Sequence, residues 1–354
     1  MKRILLVKLS PLGEVILAGS MFEAFLKAFP KAWITALVRP PAHQILKRSG
    51  WVNEVFAYDQ AVMDRRNIFT QFWKNFRLTR ALQKRRFDLA VDFSGTLRSA
   101  QIAKSGGAEL NLGLGLPAIK GFYDWTAEGS DALQVPTSEL DRRIAALLGL
   151  NTKVFAGEGG LWPVPEEAFR FADTFWKAAG FADNDMVLAV NPFADRETKE
   201  WYPEKWAAVI DELTRNQFKI FFTCWPLEKK RLGPILAKLG RSLPVYAESS
   251  LVFLMGLYRK ANAVLTVDSG PGHLAAAVGT PTLTLWGPES ARRFYPYFPE
   301  RHALVMKEVP CRPCGLEVCV EKKHECMVAI QPADVLKGLK DLLRRTLPSF
   351  SRTV

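Results

Sequence analysis

Twice along this chain, short apolar runs rich in Val, Ile and Leu alternate with longer segments of helical periodicity, and few architectures accept that pattern. In the first half "RILLVKL" leads into helix-like "VILAGSMFEAFLKAFP", then strand-like "AWITALV", and later "FDLAVDF" with another helical pattern behind it. After "LWPVPEEA" the cycle restarts: helix-like "FRFADTFWKAAGF", strand-like "MVLAVNP", helix-like "EKWAAVIDELTRN", strand-like "KIFFTCW", helix-like "EKKRLGPILAKLG", then "PVYAE" and "RKANAVLTV". Strands separated by helices pair in parallel, because each crossover helix returns the chain to the same end of the sheet and covers one of its faces. The expected class is α/β, with two doubly wound domains. A chain of 354 residues agrees, since single cores rarely grow past roughly 250–300 residues.

In open sheets of this kind ligands lie beyond the carboxyl ends of the strands, and the polar and glycine-rich loops fall there. They are "KLSPLGEV" after the first strand, "NPFADRETKEW" after "MVLAV", "CWPLE" after "KIFFT", and "DSGPGH" after "AVLTV". The last opens "VDSGPGHLAAAVGTPTLTLWGP", residues 267 to 288, which reads as strand, tight turn and a helix that stops at Gly279 before Pro281. A helix start presents unpaired N–H groups and the positive end of the dipole, and Gly270 and Gly272 allow close backbone approach, so the turn suits a phosphate. Capping of a core helix by Asp268 or Ser269 is the competing explanation.

The formal charge of +12 calls for an acidic partner. Much of the excess lies in "RRNIFTQFWKNFRLTRALQKRRF", residues 65 to 87, which contains no acid and interleaves its cations with Phe69, Phe72, Trp73, Phe76 and Phe87. Spacings of three and four put Phe69, Trp73 and Phe76 on one helical face with the cations mostly elsewhere, the pattern of a membrane-surface helix or of an ordinary helix with a solvated basic face. No nucleic-acid motif accompanies the charge, so nucleic acid is not expected as a partner. The N-terminus is interrupted by Lys8, Pro11 and Glu14 and reads as neither a signal peptide nor a membrane span.

"KLSPLGEVIL" at the N-terminus, "DFSGTLRSA" at residues 92 to 100, "TKEWYPEKW" at 198 to 206 and "VDSGPGHLAAAVGTPTLTLWGP" together resemble the heptosyltransferase family of inverting glycosyltransferases, which build the lipopolysaccharide inner core. The similarity runs through nearly the whole chain in the family's order. It implies the GT-B architecture, two Rossmann-like doubly wound domains facing across a cleft, the C-terminal one holding the nucleotide sugar. The expected domains are 1–162 on the acceptor side, 163–335 on the donor side, and a C-terminal helix, 336–354, returning to the N-terminal domain, which "PADVLKGLKDLLRR" near the end of the chain fits. The resemblance further implies transfer of a heptose from ADP-heptose to an anionic lipid-linked saccharide, by a cytoplasmic protein peripheral on the inner-membrane surface.

Roles follow from the same resemblance. Glu14 stands where the family usually carries an Asp that acts as general base, a departure of one methylene; favouring the helix start through the dipole is its alternative role. Lys199 matches the donor-binding Lys that offsets the leaving diphosphate. Ser269, Gly270, Gly272 and the amides around them would hold the phosphates, His273 would face the pyrophosphate and sugar, and Asp268 would bind the sugar hydroxyls. Glu228 resembles the acid that accepts from the nucleotide ribose. Arg98, with Arg65 and Arg66, would meet the acidic acceptor. No Asp-x-Asp or similar divalent-metal motif falls in the loops expected to line the cleft, so the transfer is expected to need no divalent metal or other cofactor.

Cys311, Cys314, Cys319 and Cys326 fall within "CRPCGLEVCVEKKHEC", while Cys224 stands in a strand-like run. Four thiols so close together read as a structural zinc site, as free thiols or as a redox switch. "LGLGLPAIKG", residues 112 to 121, reads as a loop rather than a dinucleotide fingerprint. A nucleotide-sugar epimerase of similar fold and a non-catalytic nucleotide-sugar or membrane-surface binding module are the rival functions.

Overall fold

A computed structural model describes residues 1–59, 68–150, 162–295, 300–321 and 323–347, with side chains in the helix Ile68–Gln83 described from Trp73 onward. The chain divides into two units, Met1–Gly160 with Arg292–Pro296, and Leu161–Ala291 with Tyr297–Val354.

The first unit holds β1 (Arg3–Lys8), β2 (Trp33–Val38), β3 (Glu54–Ala57), β4 (Leu89–Asp92), β5 (Leu110–Leu114) and β6 (Trp125–Ala127), in the order β3-β2-β1-β4-β5-β6. All pairings are parallel, with Ile4 opposite Ile34 on one side and Leu89 on the other. β1 is buried from Ile4 to Lys8, as a strand covered on both faces must be. The second unit holds β7 (Val187–Asn191), β8 (Lys219–Thr223), β9 (Val245–Tyr246), β10 (Ala263–Val267), β11 (Thr282–Leu285) and β12 (His302–Val305), in the order β12-β11-β10-β7-β8-β9. Counted from its own first strand this is the same order, the doubly wound arrangement expected. In each unit the chain builds outward to one edge and then jumps back to the middle, so the loops after β1 and β4, and after β7 and β10, flank a topological switch point.

Local sequence explains the covering helices. In Pro203–Arg215 the proline sits in the first turn, where its missing N–H costs nothing, and Trp206, Val209, Ile210 and Leu213 form the buried stripe. Glu166–Ala179 stops at Gly180, whose φ of 69° supplies the left-handed cap.

Several expectations need correction. The C-terminal helix is part of the second unit: Pro332–Thr346 buries Val335, Leu339, Leu342 and Leu343 in that unit's core, against β11, β12 and Pro203–Arg215. Its apolar stripe simply completes the sheet's cover, and residues 348–354 lie outside the described residues. The glycine-bearing "LGL" at 112–114 is not loop but the end of β5. The run from 15 to 30 is two helices, Leu12–Leu17 and Gly19–Ala28, divided at Ala18.

The basic segment also differs from its expected layout. The helix Ile68–Gln83 turns Leu82 inward, onto Phe87 and Ile102, with Leu78 packed against that cluster. Trp73 and Phe76 are 55% and 41% exposed, in edge-to-face contact at 5.9 Å. Arg77, Arg80 and Lys84 are exposed with them at helical spacing, and the Arg80 guanidinium lies 5.5 Å from the Phe76 ring. Cations and aromatics therefore share one outer face. Phe87 is not on it but in the core. Phe69 and Phe72 have no described side chains, and Arg65 and Arg66 lie outside the described residues.

Candidate active site

In the second unit β7 and β10 lie side by side, Asn191 opposite Thr266, and the groups expected to bind a donor emerge from their carboxyl ends. After β10, Ser269 is the N-cap of the helix Gly270–Ala277, its Oγ accepting from Gly272 N at 3.3 Å, and Pro271 fills the first turn. Asp268 and His273 are buried at this start. After β7, the loop from Pro192 ends in a turn, Glu197–Lys199, that sends the Lys199 ammonium to 3.1 Å from Asp268 Oδ2 and 3.4 Å from Asp195 Oδ1. His273 Nε2 stands 4.0 Å from Asp268 Oδ1. Lys199, Asp268 and His273, far apart in sequence, thus converge on one helix start.

The electrostatics are those of a dry polar site. Burial raises the Asp268 pKa, and Lys199 opposes the rise. Burial, with the Lys199 charge behind it, pushes His273 down to about 3, so its imidazole is neutral at physiological pH and donates from one nitrogen only. Although the Lys199 ammonium is close, Asp268 Oδ2 has no well-directed hydrogen-bond donor among the described residues.

The helix start works differently from the expected phosphate cradle. The Ser269 hydroxyl and the Gly272 amide satisfy each other, and His273 N donates to Ser269 O at 3.2 Å. The amides of Ser269 and Gly270 stand ahead of the proline at the helix start. Gly272 is small for another reason: a Cβ there would meet Thr266 Cγ2 at 2.9 Å, so the glycine lets the helix close on its own strand. Behind the cap runs a buried polar chain. Ser269 Oγ reaches Thr266 Oγ1 at 3.2 Å and Asn191 Oδ1 at 3.5 Å; Asn191 Nδ2 donates to Thr223 O at 3.0 Å; Thr223 Oγ1 and Tyr258 Oη are 2.8 Å apart.

Beside β7 on its other flank, β8 ends at the turn Pro226–Leu232, where Glu228 Oε2 accepts from Trp225 N at 2.8 Å. Burial raises the Glu228 pKa despite that bond. Next to it Asn191, Cys224, Trp225, Tyr246, Glu248 and Pro271 line a small recess. The Cys224 thiol there is pushed up to about 11 by burial.

Sequence reasoning did not identify the pairs that hold the Lys199 loop. Glu200 Oε1 accepts from Ala194 N at 3.0 Å while its other oxygen pairs with Arg231, whose guanidinium lies 4.5 Å from the Phe193 ring. Arg196 pairs with Glu289 and donates to Gly315 O at 3.0 Å. The "TKEW" acid adjoining Lys199 was the one available signal.

In the first unit, the switch point lies between β1 and β4. Glu14 occupies the first turn of Leu12–Leu17, half-buried. Lys8, the last residue of β1, is fully buried and donates to Asp141 Oδ1 and Oδ2 at 2.9 and 3.0 Å and to Phe93 O at 3.0 Å. Burial carries Asp141 up to about 6 against the pull of Lys8, with the charges of Glu14 and Asp92 adding to the rise. Asp92, also buried, accepts from Tyr123 Oη at 2.7 Å and Ser94 N at 2.8 Å. Arg98 is exposed near the start of Leu97–Ser105, the helix that follows β4. This Lys8–Asp141 pair was also unrecognised in the sequence.

The four C-terminal-half cysteines are free thiols, and among the described residues no three His, Cys, Asp or Glu side chains already stand together as a metal site.

Comparison with known proteins agrees with this geometry. The profile of glycosyltransferase family 9 (heptosyltransferase) matches residues 147–325, half of the chain. Lipopolysaccharide heptosyltransferase 1 of Pseudomonas aeruginosa is 24% identical over 366 residues, covering 99% of this chain and 94% of that one. The crystal structure of a family 9 glycosyltransferase from Veillonella parvula superposes with a TM-score of 0.81 at 21% identity, covering 97% of each chain. E. coli heptosyltransferase WaaC with ADP does so with a TM-score of 0.70 at 19% identity, covering 97% of this chain and 99% of that one. The chain belongs to glycosyltransferase family 9, the heptosyltransferase family, and is a glycosyltransferase.

Proposed function

We propose that the protein transfers a heptose from ADP-heptose to an anionic, lipid-linked saccharide, with inversion at the anomeric carbon. The observation that carries the donor half is Asp268: a buried carboxylate with one oxygen lacking a directed donor, 3.1 Å from Lys199 at a helix N-terminus. A sugar hydroxyl satisfies that oxygen. The diphosphate takes Lys199, with the Ser269 and Gly270 amides, and the ribose hydroxyls donate to Glu228. The relatives named above, one of them solved with ADP, support the nucleotide.

In this reading Glu14 accepts the proton of the acceptor hydroxyl as its oxygen attacks the anomeric carbon, and the bond to the diphosphate breaks on the opposite face of the sugar. ADP leaves with the bonding electrons. Lys199 meets the charge that develops there and takes the part a divalent cation would otherwise play. Neutral His273 supplies one hydrogen bond without competing with Lys199 for the phosphate's charge.

The exposed Trp73, Phe76, Arg77, Arg80 and Lys84 face supports a place on an anionic membrane surface, where a lipid-linked acceptor resides. Among the described residues no helix is long and apolar enough to cross a membrane.

The test is transfer from ADP-heptose to a heptose-free lipopolysaccharide acceptor, followed by ADP release and by the mass of the product, with UDP- and GDP-sugars and Mg²⁺-free buffer alongside. Acceptor-dependent release from ADP-heptose alone is expected. Turnover of donor without acceptor would replace the reading by the epimerase, and preference for UDP- or GDP-sugars would remove the ADP assignment.

A further inference from the structure

The sequence's four clustered cysteines play no part in the chemistry above, yet the fold gathers them. Cys311, Cys314, Cys319 and Cys326, with His324, line a single cavity of about 30 Å³, enough for a small bound species such as a water or an ion. The first three lie on irregular chain and Cys326 in the first turn of Glu325–Val328, where it is buried. Gly315, at φ 62°, turns the chain back between the second and third cysteines. Four reduced thiols lining one cavity, separated in sequence by two, four and six residues, offer a soft donor set of the kind a tetrahedral ion takes.

The cavity is built against the donor loop. Thr198, which contributes to its wall, donates through Oγ1 to Leu316 O at 3.0 Å, and Arg196 donates to Gly315 O at 3.0 Å. Gly315 N in turn donates to Pro288 O at 3.0 Å. The two carbonyls that hold residues 196 and 198, on either side of the turn that ends in Lys199, therefore lie between Cys314 and Cys319. Whatever fixes those cysteines fixes the base on which Lys199 stands.

We propose that Cys311, Cys314, Cys319 and Cys326 bind one thiophilic divalent ion of the zinc class, and that the ion braces the Lys199 loop. Because three of the donors lie on irregular chain, a short closure of the 311–319 segment around the ion completes the set. The four thiols release their protons to solvent as the thiolates ligate, and no electron is transferred. That the brace serves donor binding rests on the function proposed above; the site and the brace themselves do not.

The experiment uses the full chain, reduced and stripped of metal, then titrated with Zn²⁺ and, separately, Co²⁺. One bound ion per chain and the thiolate-to-cobalt charge-transfer absorption are expected, with slower hydrogen exchange at amides 196–200 in the zinc form than in the stripped form. Cys314→Ser and Cys319→Ser alter accessible loop positions rather than the buried Cys326, and each should weaken Zn²⁺ binding by more than about tenfold. Substoichiometric zinc with no cobalt–thiolate band overturns the site. Full zinc uptake with unchanged exchange at 196–200 overturns the brace. Failure of ADP to bind the zinc form, with these readouts intact, would count against the donor assignment alone.

Discussion

Replacing Lys199 by Met separates two roles of one ammonium group. The lysine and aspartate side chains are 11% and 6% exposed and 3.1 Å apart. At an effective dielectric of about 20, unit charges at that distance attract by roughly 5 kcal/mol, most of it consumed by desolvating both ions. Removing only the cation leaves Asp268 buried alone, which costs about 3–5 kcal/mol when a buried pair is broken from one side. Asp268 recovers part of this by taking up a proton, because burial already raises its pKa and Lys199 is what restrains it. Lys199→Met should therefore lose roughly 2–3 kcal/mol of stability at pH 7. The sign with pH follows: the folded-state pKa lies above the unfolded one, so the deficit shrinks as pH falls toward the ordinary carboxylate value. Lys199→Met with Asp268→Asn should regain most of the stability. ADP affinity behaves otherwise. A charge-assisted bond to phosphate worth about 1.5–3 kcal/mol disappears in both variants, a loss of roughly tenfold to a hundredfold. Urea denaturation at pH 7 and pH 5, beside calorimetric titration with ADP, measures both. A double variant no more stable than the single one would refute the buried-pair argument, and native ADP affinity in the single variant would remove Lys199 from the donor site.

Glu14→Gln should lower transfer by roughly 10²–10⁴-fold while calorimetry finds ADP binding unchanged; transfer within a few-fold of native would take Glu14 out of the mechanism. Asp141, held near 6 in the fold against an ordinary 3.8, contributes stability that is complete below the unfolded pKa and lost as pH rises toward 6, roughly 3 kcal/mol in all. Asp141→Asn should flatten that slope in denaturation curves between pH 4 and 6.5, and an unaltered slope would assign it to other groups. On vesicles rich in phosphatidylglycerol, Arg77→Ala with Arg80→Ala should weaken binding by about 2 kcal/mol, roughly thirtyfold, with less effect at high salt; equal binding by the native and double-variant proteins would dismiss the membrane role of that face.

The central strands were legible because burial on both faces leaves uninterrupted apolar runs: "RILLVK", "VLAVN" and "AVLTV" each became the strand expected. The unrecognised strands lie beyond these centres, toward the sheet edges. Thr282–Leu285 offers four residues wedged between turns, and Trp125–Ala127 offers three, two of them exposed, too little periodicity to distinguish from loop. The resemblance named Lys199, Asp268 and His273 together, and their convergence in space follows from β7 and β10 being neighbours. Arg196 with Glu289, Glu200 with Arg231 and Lys8 with Asp141 were not legible, because an ion pair between distant segments leaves no local pattern in either. The layout of the basic helix differs from the expected one because Leu78 and Leu82 supply its packing face, which leaves Trp73 and Phe76 outside with the cations instead of on a face of their own.

The two units share a sheet order, and each sets a lysine against a buried aspartate at or near its switch point, so topology alone does not tell a binding site from a structural pair. The state of the carboxylate does. Asp141 receives Lys8 through both oxygens, the lysine also donates to Phe93 O, and both side chains are only 2% exposed, so the cluster is closed and has little to offer a ligand. Asp268 meets a lysine that comes from a loop rather than from the strand, keeps some exposure and is shared with Asp195, and leaves Oδ2 without a directed donor. An incompletely satisfied buried oxygen is costly in the free protein, and a ligand that brings a hydroxyl relieves that cost only when bound. This difference is what supports the proposed donor site at the β7–β10 switch point. The Lys8–Asp141 pair instead gives a fixed foundation to the chain from β1 into the Leu12–Leu17 helix, the chain on which Glu14 is carried.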